Sequence, residues 1–310
     1  MEKIILDVDT GIDDALAILY AVESKKLDIL GITTVNGNVP LDFVTTNTRK
    51  VLQLADRTDV KVYPGAREPY LREVEHEYHV HGTDGIGNAL DDMEVTMELE
   101  DTFAPDFIID TVKAHPGEVT LVMVGPVTNL ALAIKKAPEI SKLIKRLVIM
   151  GGIVSRGGMG NKLPTSEFNI FADAEAAKVV FHRGLDITMV SLDVTHQTLI
   201  DLEKINELEG TKYFDFVKDS TEVYRGYGEK LYGKNQCSLH DPLTIGYVLD
   251  ETYIETKEVY VDVETKSELS YGQTIADFRG QVGKEPNMKV CLSVDSERFV
   301  NDFIEILKVK

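Results

Sequence analysis

The stretch Ile4-Ile5-Leu6-Asp7-Val8-Asp9-Thr10-Gly11-Ile12-Asp13-Asp14 constrains this chain more than any other. A short apolar run delivers four carboxylates and passes straight into the helix-like Ala15-Leu16-Ala17-Ile18-Leu19-Tyr20. Strand, acidic turn and helix start, in that order, are how an open α/β sheet presents functional groups at the carboxyl ends of its strands. Four acids so close repel one another unless a positive charge sits among them. A hard divalent cation held by oxygen ligands answers that need. Capping of a helix N-terminus accounts for Asp13 or Asp14. It does not account for Asp7 and Asp9 before the turn, so the cluster as a set reads as a metal or catalytic site.

The rest of the chain repeats the alternation of strand and helix. Strand-like runs lie at Lys3–Leu6, Ile29–Val35, Val119–Val124, Leu147–Met150 and Ile187–Leu192. Helical patterns separate them at Asp42–Ala55, Pro105–Ala114, Thr128–Lys136 and Ala174–His182. That order predicts an α/β fold: an open, mostly parallel sheet with helices on both faces. Further helical segments follow Asp201, then strand-like Glu258–Glu264, Gly272–Phe278 and Lys289–Val294, and a last helix Ser296–Lys308. No repeat or low-complexity linker divides residues 1–310, so one domain is expected. Two irregular stretches, 65–92 with its histidines and 151–166 with its glycines, read as functional loops.

Charge excludes some partners. With 33 basic against 52 acidic side chains the net charge is -19, so nucleic-acid polymers and anionic membrane surfaces are poor partners. Cys237 and Cys291 stand far apart and in no metal-type spacing, as expected of reduced thiols in a cytoplasmic protein. No signal-peptide pattern precedes Asp7, and no apolar run approaches a bilayer span.

Four further motifs sit where such a sheet would gather them. Thr33-Thr34-Val35-Asn36-Gly37-Asn38 ends a strand, placing Asn38 beside the acidic turn. Val122-Met123-Val124-Gly125 is a strand end that supplies a backbone carbonyl near Val124, and hard cations accept such oxygens. In Ser166-Glu167-Phe168-Asn169, an extended segment would turn Glu167 and Asn169 to one side, a carboxylate and an amide suited to a sugar diol. In His240-Asp241-Pro242, Asp241 fits a helix start with proline as first residue, and His240 fits a general acid near neutral pH.

In this order, the motifs resemble those of the inosine-uridine preferring nucleoside hydrolases, essentially end to end. Asp7-Val8-Asp9-Thr10-Gly11-Ile12-Asp13-Asp14 is similar to the family signature Asp-x-Asp-Pro/Thr-Gly-x-Asp-Asp. Met150-Gly151-Gly152, Glu167-Phe168-Asn169, Asp173-Ala174-Glu175-Ala176-Ala177 and His240-Asp241-Pro242 are similar to further landmarks. The resemblance implies the nucleoside hydrolase fold, with its Rossmann-like core, and hydrolysis of a ribonucleoside to ribose and free base. It implies calcium held by Asp9, Asp14, Asp241 and the Val124 carbonyl, with Asp9 as general base on a calcium-bound water. Asp13, Asn161, Glu167 and Asn169 would bind ribose, Met150 would pack nearby, and Asn38 would support the calcium water shell. His240 would assist the leaving base and His81 would close over it. A homodimer or homotetramer acting in nucleoside catabolism and salvage is implied as well.

The chain has no tryptophan, so an indole cannot stack on the base. Tyr224, Tyr227 or Tyr232 could, although near-helical spacing more often means packing. Two other readings stay open. One is a non-catalytic nucleoside or ribose binder. The other is an aspartate-nucleophile phosphatase of the haloacid dehalogenase type, for which Gly11 stands where a threonine or valine is wanted.

Overall fold

The computed structural model describes residues 1–155 and 157–310, and of Leu231 and Tyr232 only the backbone. The chain opens with β1 (Glu2–Val8), α1 (Ile12–Glu23), β2 (Leu27–Thr34), α2 (Leu41–Leu54) and β3 (Val62–Pro64). It continues through α3 (Tyr78–His81), α4 (Ala104–Ala114), β4 (Val119–Met123), α5 (Thr128–Lys136) and β5 (Arg146–Met150). Next come α6 (Phe168–Ala172), α7 (Ala174–Phe181), β6 (Ile187–Val190), α8 (Leu192–Thr195), β7 (Leu199–Asp201) and α9 (Leu202–Ile205). The C-terminal part holds α10 (Phe214–Tyr232), β8 (Gln236–Ser238), α11 (His240–Leu249), β9 (Ile254–Val263), β10 (Thr274–Asp277), β11 (Met288–Val294) and α12 (Ser296–Leu307).

The main sheet runs β10-β9-β11-β6-β5-β4-β1-β2-β3. It is parallel from β11 to β3, and β9 and β10 close one edge antiparallel. The expected mostly parallel sheet is therefore present. From β1 the chain steps outward through β2 and β3, then returns to lay β4 on the other side of β1. The carboxyl ends of β1 and β4 thus flank a topological switch point, where open sheets form their crevices.

Side-chain alternation along β1 decides what reaches that crevice. Ile4, Leu6 and Val8 enter a layer shared with α1, α11 and α12, whereas Ile5 enters the opposite layer with Ile109, Leu130 and Val180. Successive strand residues face opposite sides, so Asp7 shares the side of Ile5. There Asp7 Oδ2 accepts hydrogen bonds from Thr33 Oγ1 (2.5 Å) and Asn129 Nδ2 (2.7 Å). Its role is to join β1, β2 and α5. It separates from the acid cluster that the sequence placed it in.

Three short strands, β3, β7 and β8, escape periodicity because each has three residues. A second difference concerns Phe168 and Asn169. They belong to α6 instead of an extended segment, with Glu167 as its N-cap accepting from the amides of Asn169 and Ile170. Among the described residues, no helix is long and apolar enough to cross a membrane. Both cysteines are buried free thiols.

Helix α1 is buried on nearly every side because α11 and α12 cover it, with Tyr20 edge-on to Phe299 and Phe303 at 6.1 and 5.3 Å. Gly246 of α11 lets that layer close: a Cβ there would lie 2.6 Å from Phe299 Cε2. Phe299 is fully buried and has no room to give. Gly246→Ala is therefore expected to lower stability by about 1–3 kcal/mol through overpacking, read from urea denaturation midpoints at unchanged m-value.

Candidate active site

Asp14 and Asp9 are fixed by backbone groups. Asp14 Oδ1 accepts the Asp9 amide (3.0 Å), and Oδ2 accepts the Gly11 amide (2.8 Å) and Asn38 Nδ2 (3.1 Å). Asp14 thus ties the N-terminus of α1 to the end of β2. Asp9 Oδ2 accepts the Asn38 amide at 2.8 Å, while its Oδ1 is buried with no hydrogen-bond partner. Asp13 Oδ1 is likewise buried and unpartnered. Two glycines make room for Asp9. A Cβ at Gly37 would lie 2.0 Å from its Oδ2, and one at Gly125 would lie 2.7 Å from its Oδ1.

The facing wall comes from β4, β5, α6 and α11. Asn169 Nδ2 donates to the Val124 carbonyl (2.6 Å) and to the Met150 carbonyl (3.3 Å) and lies 3.4 Å from Met150 Sδ. Glu167 is held by the amides of Gly152 (2.9 Å), Asn169 (2.8 Å) and Ile170 (3.1 Å). Asn161 Oδ1 accepts the Phe168 amide at 2.8 Å, which docks its loop onto α6. His240 and Asp241 begin α11, and His240 Nδ1 lies 2.7 Å from Thr195 Oγ1 at the end of α8.

Three carboxylates converge. Asp13, Asp14 and Asp241 each offer an oxygen within 4.8 Å of the others, an arrangement able to hold a metal ion. Asp9 adjoins them, its backbone amide donating to Asp14 Oδ1. Burial first, then mutual repulsion, holds the carboxyls of Asp9, Asp13 and Asp241 well above the usual range. Burial likewise raises Asp14 to about 6 and Glu167 to about 7, against the backbone amides that favour their ionised forms. Such crowding calls for a positive charge. The donors are all oxygens, and two of them lack any partner, so the residues fit a hard cation.

Protein groups do not supply that charge. Among the described residues, the basic group within 4.0 Å of these carboxylates is His81, opposite Asp13. Burial pushes its imidazole down to about 3. His81 Nδ1 accepts the Ile12 amide of α1 at 3.0 Å, so the ring is neutral and carries its proton on Nε2. Burial also holds His240 well below its ordinary value.

These walls enclose a cavity of about 430 Å³. Asp13, Asn38, His81, Val124, Met150, Asn161, Glu167, Asn169, His240 and Asp241 all line it. Asp9 and Asp14 lie fully buried behind that lining. Further lining comes from Tyr224 and Tyr227 of α10, His196 and Leu199, and the β8 residues Gln236, Cys237 and Ser238. Both tyrosines also pack against the core, so packing and a place on the cavity wall hold together. The Tyr232 side chain lies outside the described residues. Sequence reasoning missed His196, Glu77 and Gln236. The first follows the end of β6, which a consistent reading of strand ends would have flagged. The other two gave no local signal.

Residues 4–301 match the model of the inosine-uridine preferring nucleoside hydrolase family. The chain is 39% identical over 304 residues to an inosine-uridine preferring nucleoside hydrolase of Leishmania major, covering 96% of this chain and 94% of that protein. It is 39% identical over 299 residues to the pyrimidine-specific ribonucleoside hydrolase RihB of Escherichia coli O157:H7, with the same coverage. Among solved structures, the purine-preferring ribonucleoside hydrolase of Gardnerella vaginalis superposes with a TM-score of 0.91. It shares 35% identity over 99% of this chain and 98% of that one.

Like charges gathered for a ligand weaken the ligand-free fold. Asp13→Asn removes one of them at an oxygen that has no partner to lose. In chelator it is expected to raise unfolding stability by on the order of 1 kcal/mol. A thermal melt beside wild type checks this, and a lower melting temperature would show that repulsion at Asp13 is outweighed by what its carboxylate holds in place.

Proposed function

Because the chain belongs to the inosine-uridine preferring nucleoside hydrolase family, we propose that it hydrolyses the N-glycosidic bond of ribonucleosides to ribose and free base, with uridine and inosine as first substrates. The observation that carries this reading is one cavity lined both by a carboxylate cluster and by the rings of Tyr224, His81 and His240, the two histidine rings lying 5.9 and 6.4 Å from that of Tyr224. Carboxylates and amides suit a sugar diol, and an aromatic wall suits a flat base.

The residues act as follows. Asp13, with its unpartnered oxygen, accepts a ribose hydroxyl, and Glu167, Asn169 and Asn161 hold the rest of the sugar. Met150 packs beneath it. Bond cleavage builds positive charge on the ribose ring, and a pocket walled by carboxylates stabilises that charge as it develops. Asp9, held by the Asn38 amide, takes the proton of the attacking water on its free Oδ1. His240 donates a hydrogen bond to the departing base, steadied by Thr195, while His81 offers its Nε2 proton beside it.

Asp9, Asp14, Asp241 and the Val124 carbonyl would hold calcium, Asp13 adding its carboxylate to the same cluster. The carbonyl keeps a second lone pair beyond the one Asn169 occupies. The chemistry calcium supplies when bound is Lewis-acidic: it neutralises the carboxylates, grips a diol and lowers the pKa of water.

Base release from uridine, cytidine, inosine and adenosine is the test. Release is expected, with loss on chelation and return on adding calcium. Asp9→Asn should lower kcat by about 10²–10⁴-fold, the usual contribution of a general base, with its fold retained. Tight nucleoside binding without any base released would make the chain a binder instead.

A further inference from the structure

The two irregular segments that flank the cavity are tied together by one partly buried lysine. Lys162 Nζ lies 2.7 Å from Glu77 Oε1 and 2.8 Å from Glu75 Oε2. Its side chain is 16% exposed, that of Glu77 8%, so water screens this contact far less than a surface pair. The ammonium also sits 5.3 Å from the ring of Phe171 and 5.9 Å from that of Phe168, both on α6.

Each partner is bonded onward to residues on the cavity wall. The Glu77 amide donates to the Asn38 carbonyl, and its own carbonyl accepts the amides of Val80 and His81. Glu77 thereby sets the turn that presents His81. On the opposite side, Asn161, next to Lys162, is docked on Phe168, and the Lys162 amide donates to the Ser166 carbonyl. Glu77 itself lines the cavity with Asp13 and Glu167. Without the ammonium, its carboxylate would add another uncompensated negative charge there.

The geometry points to Lys162 as a positioning residue that clamps the His81 turn to the Asn161 loop and so holds the base-facing and ribose-facing walls in register. This inference rests on the nucleoside reading for its kinetic consequence, but its structural core stands apart from catalysis. Removing the clamp leaves the carboxylate cluster and His240 in place while the two walls, His81 and Asn161 with them, separate. The loss therefore falls on substrate capture, in KM, more than on kcat. Arginine can reach both glutamates with its planar donors and keep the clamp.

Hydrogen exchange on ligand-free wild type, Lys162→Met, Lys162→Arg and Glu77→Gln tests the coupling without any turnover. Amides in residues 76–82 and 159–163 are both expected to exchange about tenfold faster or more in Lys162→Met and in Glu77→Gln, with wild-type rates in Lys162→Arg. Acceleration confined to the mutated segment would overturn the clamp whether or not the chain is a hydrolase. In steady-state kinetics, Lys162→Met should raise KM about tenfold or more with kcat within about threefold, and Lys162→Arg should restore it. A fall in kcat alone, at unchanged KM, would contradict the assignment.

Discussion

Mutual repulsion among buried carboxylates, at the place where the sheet reverses its strand order, is the constraint on which the rest of this structure depends. Asp9, Asp13, Asp14 and Asp241 are all buried, and burial and mutual repulsion together keep most of them reluctant to ionise. A protein holds such a cluster only by fixing each side chain with backbone donors and leaving an opening for positive charge. Both provisions are visible. The amides of Asp9, Gly11 and Asn38 grip Asp14 and Asp9, and one oxygen each of Asp9 and Asp13 is left without a partner.

Fold and site are joined through this requirement. The return of the chain to β4 brings the Val124 carbonyl beside the end of β1, and Gly37 and Gly125 let both neighbouring loops close on Asp9 without a Cβ in the way. Helix α1 fixes His81 by its first free amide and Asp14 by its first turn. The same helix is sealed by α11 and α12, and α11 begins with His240 and Asp241. Core packing around Tyr20 and Phe299 thus sets how far Asp241 stands from Asp14. Stability lost in placing these acids is offset by apolar burial in the two layers that sandwich the sheet.

Much of this was legible in the sequence, for identifiable reasons. β1, β4, β5 and β6 are buried on both faces, so they read as unbroken apolar runs, and the motif at each strand end lands in the crevice. Asp7 reads as part of the cluster because four acids fall at positions 7, 9, 13 and 14. Alternation puts Asp7 with Ile5, away from Ile4, Leu6 and Val8, but it cannot part Asp7 from Asp9, which lies past the end of β1 at Val8. Glu167 and Asn169 read as extended because a four-residue window does not distinguish a period of two from a capped helix start. Lys162, Glu77 and the β8 residues of the cavity gave no local signal, since contacts between distant loops leave no periodicity. Nor does residue type reveal that His240 is buried.

Crowding of Asp13, Asp14 and Asp241 calls for a cation, and the proposed site adds Asp9 and the Val124 carbonyl as ligands. Calorimetric titration of calcium into chelator-stripped protein, with a melt at each end point, tests it most directly. One ion per chain is expected to bind and to raise the melting temperature, and both effects should vanish in Asp241→Asn. A wild-type protein whose melting is unchanged by millimolar calcium, with no heat of binding, would contradict it.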